Sequence, residues 1–167
     1  LYRDGIVEVK DIPEDKLTTE KQKLVVDAWL TEGTILNKDG INNFLNSLRY
    51  PIYHLDFETY MDAIPKFKNQ KPYQQICFQY SLHIEHEDKP LEHKEFLGKE
   101  GTDPREEFIK RMIEDIPDNA CVLVYNENFE KTRIKELARD FPEYENRLMN
   151  IHDNIVDLAD PFRNKDY

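Results

Sequence analysis

The feature that most constrains this chain is a change of apolar period at Tyr50. Before it, apolar residues recur at helical spacing; after it, Tyr53, Leu55 and Phe57 alternate with His54, Asp56 and Glu58. Strict alternation predicts a strand with one apolar and one polar face. Residues 75–85 (QICFQYSLHIE) predict a second strand, and His93 to Leu97 a shorter third. The Pro- and Lys-containing connection between the first two, and the EDKP turn after the second, predict an antiparallel meander. The run ACVLVY at 120–125 has no alternation at all, as expected of a strand buried on both faces.

A strand buried on both faces needs helices to cover the sheet, and the flanking sequence supplies them. Phe108, Ile109, Met112, Ile113 and Ile116 make one helical stripe. Its helix is expected to start at Asp103-Pro104, a capping residue before a proline at the first helical position. Phe129 to Phe141 predicts the next helix, with Ile134, Leu137, Ala138 and Phe141 in register. A shorter helix after Pro142 precedes a last strand at 155–158. Three strands, helix, strand, helix, strand is an α/β order with a mixed sheet, whose later strands arrive by helical crossovers.

Residues 1–49 read as a helical lead-in, or a linker from an upstream domain, with nothing chemical in it. Thr19-x-x-Gln22 is a capping box before Leu24, Val25, Ala28 and Trp29. Gly33 is expected to end that helix, and a second is expected to follow Asp39. Residues 50–167 form the expected main domain. The chain opens on Leu1 and stops at Tyr167 without a closing element, so it is expected to be a piece of a longer multidomain protein.

Composition narrows the function. A net charge of -11 argues against simple electrostatic capture of nucleic acid. No apolar run approaches the roughly 20 residues of a membrane span, so no membrane partner is expected. Cys77 and Cys121 sit in apolar runs and read as buried free thiols, consistent with a cytoplasmic setting.

Asp56 and Glu58, two apart on one strand, project from the same face. Two unit charges about 4 Å apart at an effective dielectric near 20 repel by roughly 4 kcal/mol. A hard divalent cation bound through carboxylate oxygens offsets that repulsion; two solvent-facing acids at a strand end are the plain alternative. Glu130 falls in the first turn of the helix after the most buried strand, where α/β proteins place ligand sites. Taken alone, it reads first as an acid favoured by the helix dipole.

Together, LDFET and YNENFE resemble the first two motifs of the DEDD, or DnaQ-like, 3′→5′ exonuclease superfamily, which has a ribonuclease H-like fold. Asp56 and Glu58 match the first motif; Asn126, Phe129 and Glu130 match the second, with Glu where Asp is common. More closely, LDFETY, PYQQICFQYSLH, DPR, YNENFE and IVDLADPF resemble an uncharacterised bacterial domain family of that superfamily, found after a nuclease-like domain in longer proteins. The resemblance runs from about Tyr50 to the end. It implies a metal-dependent nuclease, a 3′→5′ exonuclease on single-stranded ends of DNA or RNA, with two Mg²⁺ or Mn²⁺ ions. Asp56 would bridge the ions, with Glu58 and Glu130 completing the shell. The superfamily's fourth carboxylate, with its His or Tyr, is expected beyond Tyr167.

Asp157 reads first as a strand-end cap or supporting group and second as a metal ligand. Lys66, Lys68, Lys71 and Tyr73, in the loop PKFKNQKPY after the first strand, are candidate nucleic-acid contacts or an ordinary solvated loop, and Asn126 is a further candidate contact. His54 is read as packing or hydrogen bonding, and His152 and Asp153 as surface residues. Two other functions stay open: a catalytically incomplete module that binds nucleic acid or a protein partner, and a phosphoesterase of small nucleotides.

Overall fold

The alternating segment becomes β1 (Ile52–Tyr60), the centre of a five-stranded sheet in a computed structural model that describes residues 1–167. The other strands are β2 (Ile76–Glu85), β3 (Glu92–Leu97), β4 (Cys121–Val124) and β5 (Ile155–Asp157), in the order β3-β2-β1-β4-β5. β2 runs antiparallel to both β1 and β3, whereas β1, β4 and β5 run parallel. The expected meander and the crossover-delivered strands are therefore both present. Phe78 is skipped in the pairing, since Glu58 faces Gln79 while Thr59 faces Cys77. That bulge is invisible to a simple alternation.

Chain contacts divide the protein into two units, residues 48–159 and residues 1–47 with 160–167. The last eight residues, expected in the main domain, thus group with the helical lead-in. In that unit α1 (Glu20–Thr31) carries the predicted capping box: Thr19 Oγ1 accepts the Gln22 N–H at 3.2 Å, and Gln22 Oε1 accepts the Thr19 N–H at 3.1 Å. The left-handed residue that ends α1 is Glu32, not Gly33; the Gly33 N–H returns to the Ala28 carbonyl at 3.2 Å. α2 (Lys38–Ser47) begins before Asp39, because Asn37 Oδ1 takes the Gly40 N–H at 3.2 Å. Asn37 also donates to Asp166 at 2.7 Å, tying α2 to the tail that bears the short α6 (Asp160–Arg163).

In the sheet unit, Tyr53, Leu55 and Phe57 share the core with Tyr80, Leu82 and Ile84 of β2. α3 (Arg105–Asp115) packs on them through Phe108, whose ring meets Phe57, Tyr80 and Phe96 edge-on at centroid distances of 5.1, 5.4 and 5.8 Å. Edge-to-face contact at that range is the favoured aromatic geometry. The proline of the predicted start is the N-cap rather than the first helical residue, and Asp103 Oδ1 accepts the Arg105 N–H at 3.2 Å. α4 (Asn128–Asp140) and α5 (Glu145–Asp153) add Ile134, Leu137, Ala138 and Leu148 to the core. All four β4 residues are buried, while Tyr125, read as the end of that strand, is exposed. Cys77 and Cys121 are free and buried, and burial pushes the Cys77 thiol up to about 12, so it packs as a small apolar group. No helix is long and apolar enough to cross a membrane.

One polar bond lies inside this core. The Tyr80 hydroxyl donates to Asp115 Oδ2 at 2.6 Å, and Lys94 Nζ lies 3.3 Å from the other oxygen. Tyr80→Phe keeps the ring packing but strands a buried carboxylate oxygen, at a cost of about 1–2 kcal/mol. Urea unfolding of the two forms measures it; equal midpoints would show the bond contributes nothing.

Candidate active site

β4 pairs with β1 only over Ile52 to His54, so the rest of β1 has no strand neighbour on that side. Past Val124 the chain turns at Asn126, whose φ is 67°, and enters α4. The notch between this turn and the free stretch of β1 lies at the carboxyl ends of parallel strands, the place where open α/β sheets accept ligands. Asp56 and Glu58 sit on the free stretch, both exposed, opposite Ser81 and Gln79 of β2.

Glu130 occupies the first turn of α4 and is only 3% exposed. Its Oε2 is buried without a hydrogen-bond partner. Burial is the main reason its carboxyl is pushed up to about 7; its own backbone N–H opposes the shift, and the charges of Asp56 and Asp157 add to it. Asp56, Glu130 and Asp157 are therefore electrostatic neighbours.

Asp157, at the end of β5 and paired with Val124, is 1% exposed. Oδ1 accepts the N–H groups of Asn126 at 2.8 Å and Ala159 at 2.9 Å, and Oδ2 accepts that of Glu127 at 2.9 Å. Of the two readings of Asp157, the geometry is that of the cap. The carboxylate fastens the positive-φ turn from which α4, and with it Glu130, begins. The expected set is thus brought together unevenly. Asp56 raises the Glu130 carboxyl through its charge, Asp157 holds the turn that opens α4, and Glu58 stands one pleat further along β1. No three His, Cys, Asp or Glu side chains form a ready-made metal cage.

Asp56 opens onto a cleft of about 550 Å³ that is also lined by His54, Ser81, His83, Tyr125 and Leu158. Single-strand reading missed what shares this face. His54 pairs with His83, and His83 with His93, so three of the chain's five histidines form one row across three strands. The His83 and His93 rings stack at 4.4 Å, and Ser81 Oγ lies 3.4 Å from His93 Nε2. His54 Nε2 lies 2.9 Å from Glu85 Oε2, the hydrogen-bonding role expected of it. Each histidine occupies a polar-face position, but only the strand register reveals the row.

The loop candidates behave differently from one another. Lys66 pairs with Asp62 at 3.0 Å, whereas Lys68 contributes its carbonyl to Arg105 at 2.9 Å. Lys71 and Tyr73 are exposed, the latter with φ 57°. Asn126 enters the site through its backbone N–H. His152, expected at the surface, is half-buried and lies 2.7 Å from the exposed Asp153.

These features define an α/β domain built on a mixed sheet, with carboxylates gathered where two parallel strands end. The chain belongs to the family described as Domain of unknown function (DUF2779), whose model matches residues 53–167. An uncharacterized protein of Mycoplasma genitalium is 31% identical over 158 residues, 87% of this chain and 23% of its own length. Its Mycoplasma pneumoniae homologue is 28% identical over 144 residues, covering 81% and 22%. An uncharacterized protein of Ureaplasma parvum is 33% identical over 116 residues, covering 65% and 17%. The chain spans less than a quarter of the length of these relatives. No solved structure gives a significant match.

Proposed function

We propose that this chain contributes the carboxylate centre of a metal-dependent nuclease of the DEDD type, on a ribonuclease H-like sheet. The observation that carries the reading is Glu130: a nearly buried carboxylate with an unpartnered oxygen, facing the charges of Asp56 and Asp157 at the end of parallel strands. Structural acids are rarely left so poorly compensated, and strongly perturbed carboxylates concentrate at functional sites. The motif likeness of LDFET and YNENFE supports the same reading, and the strand order with β2 alone reversed supports the finer fold class.

The donor set suits Mg²⁺ or Mn²⁺, which prefer carboxylate oxygens. Asp56 and the free oxygen of Glu130 would hold the cation, Glu58 would join from the same strand, and Asp157 would keep the α4 entry in place. Bound there, divalent ions supply activation of water and stabilisation of the leaving oxygen of a phosphodiester. The substrate is a single-stranded end of DNA or RNA.

Nuclease assays of the full-length protein with Mg²⁺ and Mn²⁺ on single-stranded DNA and RNA test the proposal. Asp56→Asn is expected to lower the rate about a hundredfold. Full activity in that variant removes the site assignment. No degradation of either polymer removes the nuclease reading and favours a binding module, and cleavage of small nucleotide esters alone would reassign the substrate.

A further inference from the structure

A second cleft, of about 480 Å³, lies where β1 ends, four residues beyond Asp56, and is lined by Tyr60, Phe67, Phe78, Lys66, Lys99 and Thr102. Three different segments build it. Tyr60 is the last residue of β1, Phe78 is the bulged residue of β2, and Lys99 follows the end of β3. The bulge has a consequence here, since skipping Phe78 in the ladder frees its ring to meet Tyr60 at 5.8 Å and 58°. Lys66 and Phe67 come from the loop after β1, where Gln70 Oε1 accepts both of their backbone N–H groups, at 2.8 and 3.1 Å. The rings of Tyr60, Phe67 and Phe78 are half-buried, and the two lysines are exposed at the rim, where Glu100 lies beside them and Asp62 pairs with Lys66 at 3.0 Å.

We infer that this cleft binds a single strand of nucleic acid on its way to the Asp56 notch, the rings stacking on bases and the lysines meeting phosphates. The inference rests on the nuclease reading for the strand's destination. Its local chemistry stands separately: three rings interleaved with two amines on a chain of net charge -11. A cleft for an apolar peptide has no use for the amines, whereas stacking rings beside lysines are how sequence-tolerant strand binding is built. Tyr60 lies four residues beyond Asp56 on one strand, roughly 13 Å at the usual rise per residue, so one strand can touch both. The loop therefore acts through Lys66 and Phe67, while Lys68, Lys71 and Tyr73 do not line the cleft.

Fluorescence anisotropy of labelled oligothymidylate and oligouridylate with the chain in EDTA isolates binding from any cleavage. The wild type is expected to bind both, more weakly as salt rises. Lys66→Gln and Lys99→Gln should each flatten the salt slope by roughly 0.7. Phe67→Ala should weaken binding about tenfold with the slope unchanged, while Phe67→Tyr retains it. Lys89→Gln, in the turn between β2 and β3 at the opposite end of the sheet, should bind as wild type. No binding by the wild type, or unchanged binding by both lysine variants, overturns the inference; those variants are exposed and keep the test valid if Phe67→Ala misfolds. Binding as described, with no cleavage by the full-length protein, leaves the cleft standing and removes the active-site reading. Cleavage that the cleft variants do not affect, with unchanged oligonucleotide binding, removes the cleft alone.

Discussion

Asp157→Ala should lower stability by about 4 kcal/mol and the melting temperature by roughly ten degrees. The magnitude follows from what the carboxylate does. Its two oxygens accept three backbone N–H groups, from Asn126, Glu127 and Ala159, in a residue that is 1% exposed. Charge-assisted bonds of this kind are the strong ones, and alanine leaves all three donors facing a void. Asn126 and Glu127 are near solvent and recover part of their loss from water, which is why the expected figure stays below the full sum. Asp157→Asn separates this role from metal ligation. Its one carbonyl oxygen can keep two of the three bonds, while the amide sets a donor against the third. A strand-end cap predicts a partial stability loss for Asn and a large one for Ala, by circular dichroism melts. A ligand predicts that both melt as wild type without metal and differ only when Mn²⁺ is present.

Much of this architecture was legible because apolar period reports which face of an element is buried. Alternation at 53–58 gave β1, the unbroken run at 120–125 gave the fully buried β4, and the stripes at 108–116 and 129–141 gave the helices over them. Local chemistry was legible too, as Thr19 and Gln22 show. Period says nothing of neighbours, however. That β4 pairs with β1 for three residues only, opening the notch, depends on contacts between distant segments. The histidine row and the Phe78 bulge depend on register in the same way. Arg105 is the clearest residue hidden from sequence. It is 3% exposed, donates to Asp103 and the Lys68 carbonyl, and lies over the Phe141 ring at 5.5 Å. Of the candidate site, the shared face of Asp56 and Glu58 and the position of Glu130 could be read from spacing. The burial that makes Glu130 unusual could not, because it is set by how far α4 leans onto the sheet.

Glu130→Gln should stabilise the chain at pH 8 by about 3 kcal/mol and leave it unchanged at pH 4. Folding raises the Glu130 carboxyl from 4.5 to about 7. Between those values the unfolded chain has released the proton while the folded chain still holds it. Stability therefore falls as pH rises through this window, by about 1.4 kcal/mol for each unit separating the two values, and the loss is complete above the folded value. Glutamine has the same shape and no charge, so it removes the whole pH-dependent loss. Chemical denaturation of both forms at pH 4 and pH 8 measures the difference; parallel pH profiles would show that Glu130 is not held in an apolar setting. The same pair of proteins probes the proposed cation without any assay of turnover. At pH 8 the wild type carries the uncompensated charge, and Mn²⁺ should raise its melting temperature toward that of the variant. The variant has lost the charge and should respond little. At pH 5.5 binding must expel the Glu130 proton, so the stabilisation should weaken. If Mn²⁺ moves neither protein at pH 8, the strain at Glu130 is real but its partner is not a divalent cation. In that case the notch would be a place where the fold tolerates a costly acid, and the nuclease proposal would lose the observation that carries it.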